Sequence, residues 1–225
     1  MTLVLAIPAK EGIVFASDGQ VTIGNVRTHG EKLYELNKGC AWAGSGEVAL
    51  IQRVEERIKQ LPPNPLEEIR DILALEIQRA VKELLELDFR TSFFREAPNT
   101  LLELHPADFV FVEHKTRPRI LHITHSGTPE WWIDNRPFAT GNGDYFAYAL
   151  LQKYQGKPLN LSQASVLSVK VIQEVIEVGA YGLGPPIALW KITENGIEIP
   201  SEGEIAAMED AAKSVRELEI DALLK

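Results

Sequence analysis

A threonine directly behind the initiator methionine is the residue of this sequence best placed to do chemistry. Thr2 follows Met1 and precedes an apolar run, 3–7, that is typical of a buried β-strand. Once Met1 is removed, Thr2 carries a hydroxyl nucleophile and a free α-amine that can accept the hydroxyl proton. An unperturbed α-amine has a pKa of about 7.7–8, so part of it is free base near neutral pH. Many ordinary chains also begin with Met-Thr, so the case for a catalytic Thr2 depends on other residues of the sequence.

The composition excludes several classes of function. The chain has 225 residues and a formal net charge of −9 without a basic cluster, which argues against binding of nucleic acid or an anionic membrane. Its apolar runs fall short of the ~20 residues that a membrane helix needs. The start lacks the basic flank of a signal peptide. The single cysteine, Cys40, cannot form an internal disulfide and is expected to be a small buried hydrophobic residue. We therefore expect a cytoplasmic protein.

Hydrophobic periodicity predicts alternating blocks of strands and helices. The predicted strands are 2–8, 12–18, 21–28, 31–36, 39–43, 109–113, 119–124, 130–133, a short piece near Phe138, 187–192 and 197–199. The predicted helices are 47–60, 64–87, 144–154, 162–178 and one beginning near residue 203. Strands 21–28 and 31–36 are expected to pair with each other. Segment 88–105, with phenylalanines among arginines, is either a contact surface or a packed loop.

The predicted elements form one domain, 1–225, because no linker or change of composition divides the chain. Two sheets between two layers of helices would bury the apolar faces of all these elements. In the first predicted helix Val48 belongs to the inward stripe, and in the second Ile72 does. Asn64 is expected to cap the second helix, with Pro65 at its first position.

Four short motifs, in this order and at these distances from Thr2, carry a resemblance to a known family. They are Ala16-Ser17-Asp18-Gly19-Gln20-Val21-Thr22-Ile23-Gly24-Asn25, Glu31-Lys32-Leu33-Tyr34, Ala43-Gly44-Ser45-Gly46 and Ala139-Thr140-Gly141-Asn142-Gly143. The chain resembles the β-type subunits of proteasomes among the N-terminal-nucleophile hydrolases, and is most similar to HslV-type and bacterial proteasome-like peptidases. The resemblance implies an α+β fold, a four-layer αββα sandwich with two antiparallel sheets between helix layers.

The resemblance also implies a role for four catalytic positions. Thr2 matches the nucleophile, whose hydroxyl attacks a peptide carbonyl while the α-amine takes the proton. Asp18 and Lys32 match the family's aspartate and lysine, in which the carboxylate orients the cation; a cation beside Thr2 lowers the pKa of the amine and favours developing negative charge. Gly44 matches the glycine whose backbone N–H stabilises the oxyanion. On residue type alone, Asp18 is equally a turn former before Gly19.

Further positions match the substrate pocket and the support of the site. Val21, Trp42 and Gly46 match pocket-lining positions, although a core tryptophan is an equal interpretation of Trp42. Asn142 stands where the family usually has a serine, and its amide can also donate and accept hydrogen bonds. The stretch 178–182 lacks the aspartate and the serine that proteasome members carry after the preceding helix.

The resemblance implies a threonine-type endopeptidase that hydrolyses unfolded proteins inside a self-compartmentalising ring, with a possible separate ATPase partner. Two alternatives stay open. One is a catalytically silent ring subunit, favoured by the altered stretch 178–182. The other is an N-terminal-nucleophile amidohydrolase that acts on a small amide.

No cofactor and no metal are expected. His122 and His125 lie three residues apart in a predicted strand and should face opposite sides of it, which makes a poor metal pair. The glycine-rich runs lack the lysine and the spacing of a phosphate-binding loop.

Overall fold

Two antiparallel sheets form the frame that positions Thr2. The computed structural model describes residues 2–23, 26–84, 107–132, 136–179 and 182–225. The first sheet contains, in spatial order, β10 (Phe138–Gly141), β1 (Leu3–Pro8), β2 (Gly12–Asp18), β11 (Ile187–Thr193) and β12 (Gly196–Glu198). The second contains β5 (Leu33–Asn37), β6 (Cys40–Gly46), β7 (Ala107–His114), β8 (Pro118–Ile123) and β9 (Pro129–Trp131). A separate hairpin joins β3 (Gln20–Ile23) to β4 (Val26–His29).

Helices cover the outer faces of both sheets. They are α1 (Val48–Ile58), α2 (Leu66–Glu83), α3 (Asp144–Leu151), α4 (Leu161–Glu177) and α5 (Glu202–Leu223). Capping boxes begin the last two, with Asn160 and Gln163 before α4 and with Ser201 and Glu204 before α5. A 3₁₀ turn, Gln152–Tyr154, follows α3.

Strict alternation of apolar side chains sorts the core into three layers. Along β1, Leu3 and Leu5 pack toward α4, whereas Val4 and Ala6 face the second sheet. The middle layer joins residues of β1 and β2 to residues of β6 and β7. The outer layer of the second sheet packs Trp42 and its neighbours against α1 and α2. This order confirms the predicted α+β, four-layer αββα sandwich.

The strand prediction was wrong at the polar segment after β2. Strand 21–28 does not pair with strand 31–36; residues 20–29 contain the hairpin β3–β4, in which Gln20 pairs with His29. β5 instead pairs with β6, Leu33 lying opposite Ala43. A signal was available, because the dipeptide Gly24-Asn25 is typical of a two-residue hairpin turn. The polar face of this segment obscured the second strand.

Three details of the predicted helices were also wrong. Val48 and Ile72 are exposed, and Leu50 takes the inward position on α1. Asn64 does not cap α2: the N-cap position is Pro65, without a side-chain hydrogen bond. The N–H of Leu66 instead donates to Glu113 Oε1 of β7, at 3.4 Å, so tertiary contact replaces a local cap.

Several sequence predictions concern residues outside the described ranges. These are the removal of Met1, the dipeptide Gly24-Asn25, residues 85–87 of the second predicted helix, segment 88–105, Ile133 and the pair Ala180-Tyr181. Among the helices of the described ranges, none has the length and apolar character required to cross a bilayer.

The middle layer gives a direct test of the sandwich. Phe15 is fully buried between the sheets, whereas Phe146 of α3 is 49% exposed. We expect Phe15→Ala to lower the free energy of unfolding by about 3–5 kcal/mol, and Phe146→Ala to lower it by less than about 1 kcal/mol. Urea unfolding followed by circular dichroism measures both. Equal losses in the two variants would contradict this packing.

Candidate active site

A fully buried carboxylate at the end of β2 is the centre of the candidate site. Asp18 Oδ1 accepts hydrogen bonds from the backbone N–H of Leu3, at 3.0 Å, and from Lys32 Nζ, at 2.7 Å. Asp18 Oδ2 accepts from the N–H groups of Gln20 and Gly184, each at 3.2 Å. Because Asp18 is 0% exposed, these four donors replace the water that would otherwise solvate its charge.

Lys32 is the charge partner of this carboxylate. Its side chain is only 6% exposed, and burial lowers its pKa, while the charge of Asp18 and the hydrogen bond to it act in the opposite direction. Lys32 lies just before β5, in the second sheet, whereas Asp18 belongs to the first. The ion pair therefore joins the two sheets beside the start of β1.

The peptide bond between Thr2 and Leu3 is held on both sides. Its N–H, that of Leu3, donates to Asp18 Oδ1. Its carbonyl, that of Thr2, accepts from the backbone N–H of Asn142 at 2.7 Å. Thr2 itself is 7% exposed. With both polar groups of this peptide bonded, the Thr2 Cα is fixed in position, which is the preorganisation that a nucleophile needs.

Gly141 allows the chain to approach Thr2 closely. Its φ is +100°, and a Cβ added there would lie 2.0 Å from the carbonyl oxygen of Thr2 and 3.1 Å from Cβ of Ser45. Only glycine fits this position, for steric and for conformational reasons. The same geometry shows that Ser45 of β6 lies directly beside Thr2.

The end of β6 is paired on one side only. Gly44, Ser45 and Gly46 have partners in β7, but the pairing with β5 ends at Ala43 opposite Leu33. A Cβ on Gly44 would lie 2.8 Å from Ile51 Cγ1, so the absence of a side chain at Gly44 also lets α1 pack closely on β6. An incompletely paired backbone beside Thr2 can bind an extended peptide or an oxyanion.

The predicted pocket residues are spread over three environments. Val21 is half-buried on β3, opposite Thr28. Gly46 is exposed at the end of β6. Trp42 is 1% exposed and stacks on Tyr34, with ring centroids 4.6 Å apart, in the layer beneath α1. Trp42 is thus a core residue, and a substrate-binding role for these residues stays a prediction.

Asn142 enters the site through its backbone. The N–H of Asn142 donates to the carbonyl oxygen of Thr2, and Asn142 as a whole is an exposed residue. The role predicted for its side-chain amide, in place of a serine, stays a prediction.

Gly184 is a supporting residue that the sequence analysis missed. Its N–H bonds Asp18, and its carbonyl accepts from Gly19 at 3.0 Å and from Gln20 at 3.1 Å. A Cβ on Gly19 would lie 2.3 Å from the carbonyl oxygen of Pro186, so the two segments pack backbone to backbone. The dipeptide Pro185-Pro186 after a glycine-rich run was the available signal, since a proline restricts the backbone of the residue before it, here Gly184.

The expectation that His122 and His125 face opposite sides of a strand was wrong. β8 ends at Ile123, so His125 lies beyond it, and the chain carries both rings toward Asp108. His122 Nε2 and His125 Nδ1 each lie 4.0 Å from an oxygen of that carboxylate. Across the described part of the chain, no group of three or more potential ligands is arranged to hold a metal ion.

The four-layer fold matches that of solved structures. It is similar to an Anbu (ancestral beta-subunit) structure from Yersinia bercovieri, with a TM-score of 0.74, 13% identity and coverage of 99% of this chain and 97% of that one. It is also similar to the Anbu (Gly-1) mutant from Hyphomicrobium sp. strain MC1, with a TM-score of 0.72, 15% identity and full coverage of both chains.

The sequence comparisons identify the family. A family model described as Proteasome subunit matches residues 2–184, and the chain belongs to this family. It is 25% identical over 200 residues to a proteasome subunit beta of Nanoarchaeum equitans, covering 88% of this chain and 96% of that one. It is 24% identical over 207 residues to a proteasome subunit beta of Methanothermobacter thermautotrophicus, covering 91% and 92%. The family predicted from the motifs is thereby confirmed.

The ion pair can be tested by removing one charge. In Asp18→Asn the buried Lys32 loses its counter-charge, and the amide nitrogen cannot accept from the N–H donors on Asp18. We expect a loss of about 3–5 kcal/mol in the free energy of unfolding, measured by urea denaturation. In Asp18→Asn/Lys32→Met, which buries no unpaired charge, part of this loss should be recovered. A loss below about 1 kcal/mol in the single variant would contradict the role assigned to the pair.

The close approach at Gly141 has a matched control in Gly156. Both residues have positive φ, +100° and +70°, but nothing lies within 4 Å of a Cβ added to Gly156. Gly156→Ala should cost about 1–2 kcal/mol for the backbone conformation alone. Gly141→Ala adds the collision with the Thr2 carbonyl and should cost clearly more in the same unfolding measurement. Similar costs would show that the approach is not restrictive.

Proposed function

We propose that this chain is a β-type subunit that acts as an N-terminal threonine peptidase on the peptide bonds of unfolded proteins. The observation that carries the proposal is the Thr2–Leu3 peptide, held between Asp18 and the backbone of Asn142. Lys32 donates to the same oxygen of Asp18 as the Leu3 N–H does, so its positive charge lies beside the nucleophile. Membership of the proteasome subunit family supports the same assignment.

The proposed reaction begins once Met1 is removed. The α-amine of Thr2 takes the hydroxyl proton, and Oγ1 bonds to the scissile carbonyl carbon. Lys32 holds the amine pKa down, because a nearby cation disfavours the protonated amine. The backbone N–H of Gly44 is the proposed donor to the oxyanion.

Collapse of this intermediate breaks the C–N bond, and the amine passes its proton to the leaving amino group. Water then attacks the carbonyl carbon of the resulting ester and loses a proton to the same amine. The bond between Oγ1 and this carbon breaks, the amine returns the proton to Oγ1, and the shortened peptide leaves with a new carboxyl group. Each proton removed by the amine is returned, so the cycle needs no metal or cofactor.

We further propose that the chain forms one domain and that copies associate into a ring that encloses the active sites. Family membership supports the association. A separate ATPase would supply unfolded chains to such a chamber. Static light scattering on the purified protein tests the association.

The peptidase proposal predicts a covalent adduct at Thr2. A peptide epoxyketone or a β-lactone should modify the protein after loss of Met1, and intact-mass and peptide mass spectrometry should locate the adduct on Thr2. Thr2→Ala should abolish the adduct and peptide hydrolysis, whereas Thr2→Ser keeps a hydroxyl and should keep both. Thr28→Ala, an exposed threonine of β4, is the matched control and should behave as wild type.

The outcomes separate the candidate functions. Retained Met1 without an adduct would overturn the proposal, because the amine would be locked in a peptide bond. Loss of Met1 with assembly but without an adduct would instead indicate a silent ring subunit. Hydrolysis of a small amide but of no peptide would indicate an amidohydrolase.

A further inference from the structure

A cleft of about 480 Å³ opens beside the candidate site. Lys32 forms part of its lining, and the same side chain bonds the carboxylate that holds the Leu3 N–H. The remaining described walls come from β5 and its approach, from β6, α1 and β11, and from Ile199 after β12. A volume of this size accommodates a long side chain together with a few waters.

Two half-buried aromatic side chains, Tyr34 and Trp190, line the cleft. Trp42 lies at its base, fully buried, and Tyr34 stacks on it at 4.6 Å with an interplanar angle of 24°. Trp190 of β11 lines the same cleft and is half-buried. The Tyr34 hydroxyl donates to the carbonyl oxygen of Glu31 at 3.0 Å, which fixes the orientation of its ring. Oriented aromatic faces attract cations through the ring quadrupole.

The charges of the cleft do not balance. Three carboxylates line it, those of Glu31, Glu35 and Glu55, against the ammonium groups of Lys32 and Lys59. Lys32 is matched by Asp18 at 2.7 Å, and Lys59 is matched by Glu55 at 2.6 Å. Two exposed carboxylates, Glu31 and Glu35, remain in excess within the described lining.

The state of Tyr34 agrees with a negative environment. Burial raises the pKa of its hydroxyl, and the charges of Glu55 and Glu31 raise it further. The same field that disfavours a phenolate favours a bound cation.

We propose that this cleft receives a lysine or arginine side chain of the substrate, at the residue whose carbonyl Thr2 attacks. The inference rests on the proposed peptidase function and names its preferred substrate. Tyr34 and Trp190 would contact the methylene chain and the cationic head, and Glu31 and Glu35 would neutralise its charge. An acidic side chain would meet uncompensated carboxylates, and an apolar one would forgo both interactions.

The test compares fluorogenic peptides that differ only at the residue before the cleaved bond. Lysine, norleucine and glutamate give a cation, an uncharged chain of similar length and an anion. We expect kcat/KM for lysine to exceed that for norleucine by about tenfold or more, and glutamate to be poorest. In Glu31→Gln/Glu35→Gln the lysine-to-norleucine ratio should fall several-fold, because hydrolysis of the lysine peptide falls more than that of the norleucine peptide. Glu31→Lys/Glu35→Lys should favour glutamate.

The matched control is Glu56→Gln. Glu56 is exposed on α1 like the rim carboxylates, but it lines a different cleft with Arg53 and Arg57. Its substitution should leave the lysine-to-norleucine ratio as in wild type. Complete labelling of Thr2 by the epoxyketone at a saturating concentration confirms that each variant is folded and competent.

Each result decides a different question. Equal hydrolysis of lysine and norleucine peptides by the wild type, or an unchanged ratio in Glu31→Gln/Glu35→Gln, would overturn the cleft assignment and leave the peptidase function standing. Absence of both hydrolysis and labelling would overturn the peptidase proposal, and the substrate assignment with it.

Discussion

The site depends on one buried carboxylate. Asp18 has no access to water, and its charge is stabilised by three backbone N–H groups and one ammonium. Each donor belongs to a different part of the chain: the start of β1, the start of β3, the approach to β5 and the segment before β11. The cost of burying an anion is offset only if all four segments come together, so the carboxylate couples the fold to the position of Thr2.

Close packing of backbones gives the site its precision. Gly19 lies against Pro186, and Gly141 lies against the carbonyl of Thr2, at separations that a Cβ would prevent. Such contacts bring main-chain N–H groups within hydrogen-bonding distance of Asp18 and of Thr2. Backbone donors have fewer rotatable bonds than side chains, and they therefore hold the Thr2–Leu3 peptide with little loss of conformational freedom.

The charged groups serve different purposes according to burial. The ion pair of Lys32 and Asp18 is enclosed, and its electrostatic effect on Thr2 is weakly screened by solvent. Glu31 and Glu35 lie at the exposed rim of the neighbouring cleft, where salt weakens their attraction for a ligand. The enclosed pair is thus suited to hold the Thr2–Leu3 peptide in place, and the exposed carboxylates are suited to a role at the surface.

Strong local patterns of the sequence determined the family, the four-layer sandwich and the order of the described elements outside residues 20–29. Apolar runs such as 3–7 and 13–16 are buried on both faces, and the motifs around Asp18, Lys32 and Gly44 stand at fixed distances from Thr2.

Only the tertiary structure decided what supports the site. Gly184 meets Asp18 across 166 positions of sequence, and Asn142 acts through its N–H, which residue type does not reveal. The hairpin β3–β4 and the convergence of His122 and His125 on Asp108 likewise follow from where strands end. The contacts of Gly184 and Asn142 are long-range backbone contacts, and local propensity carries no information about them.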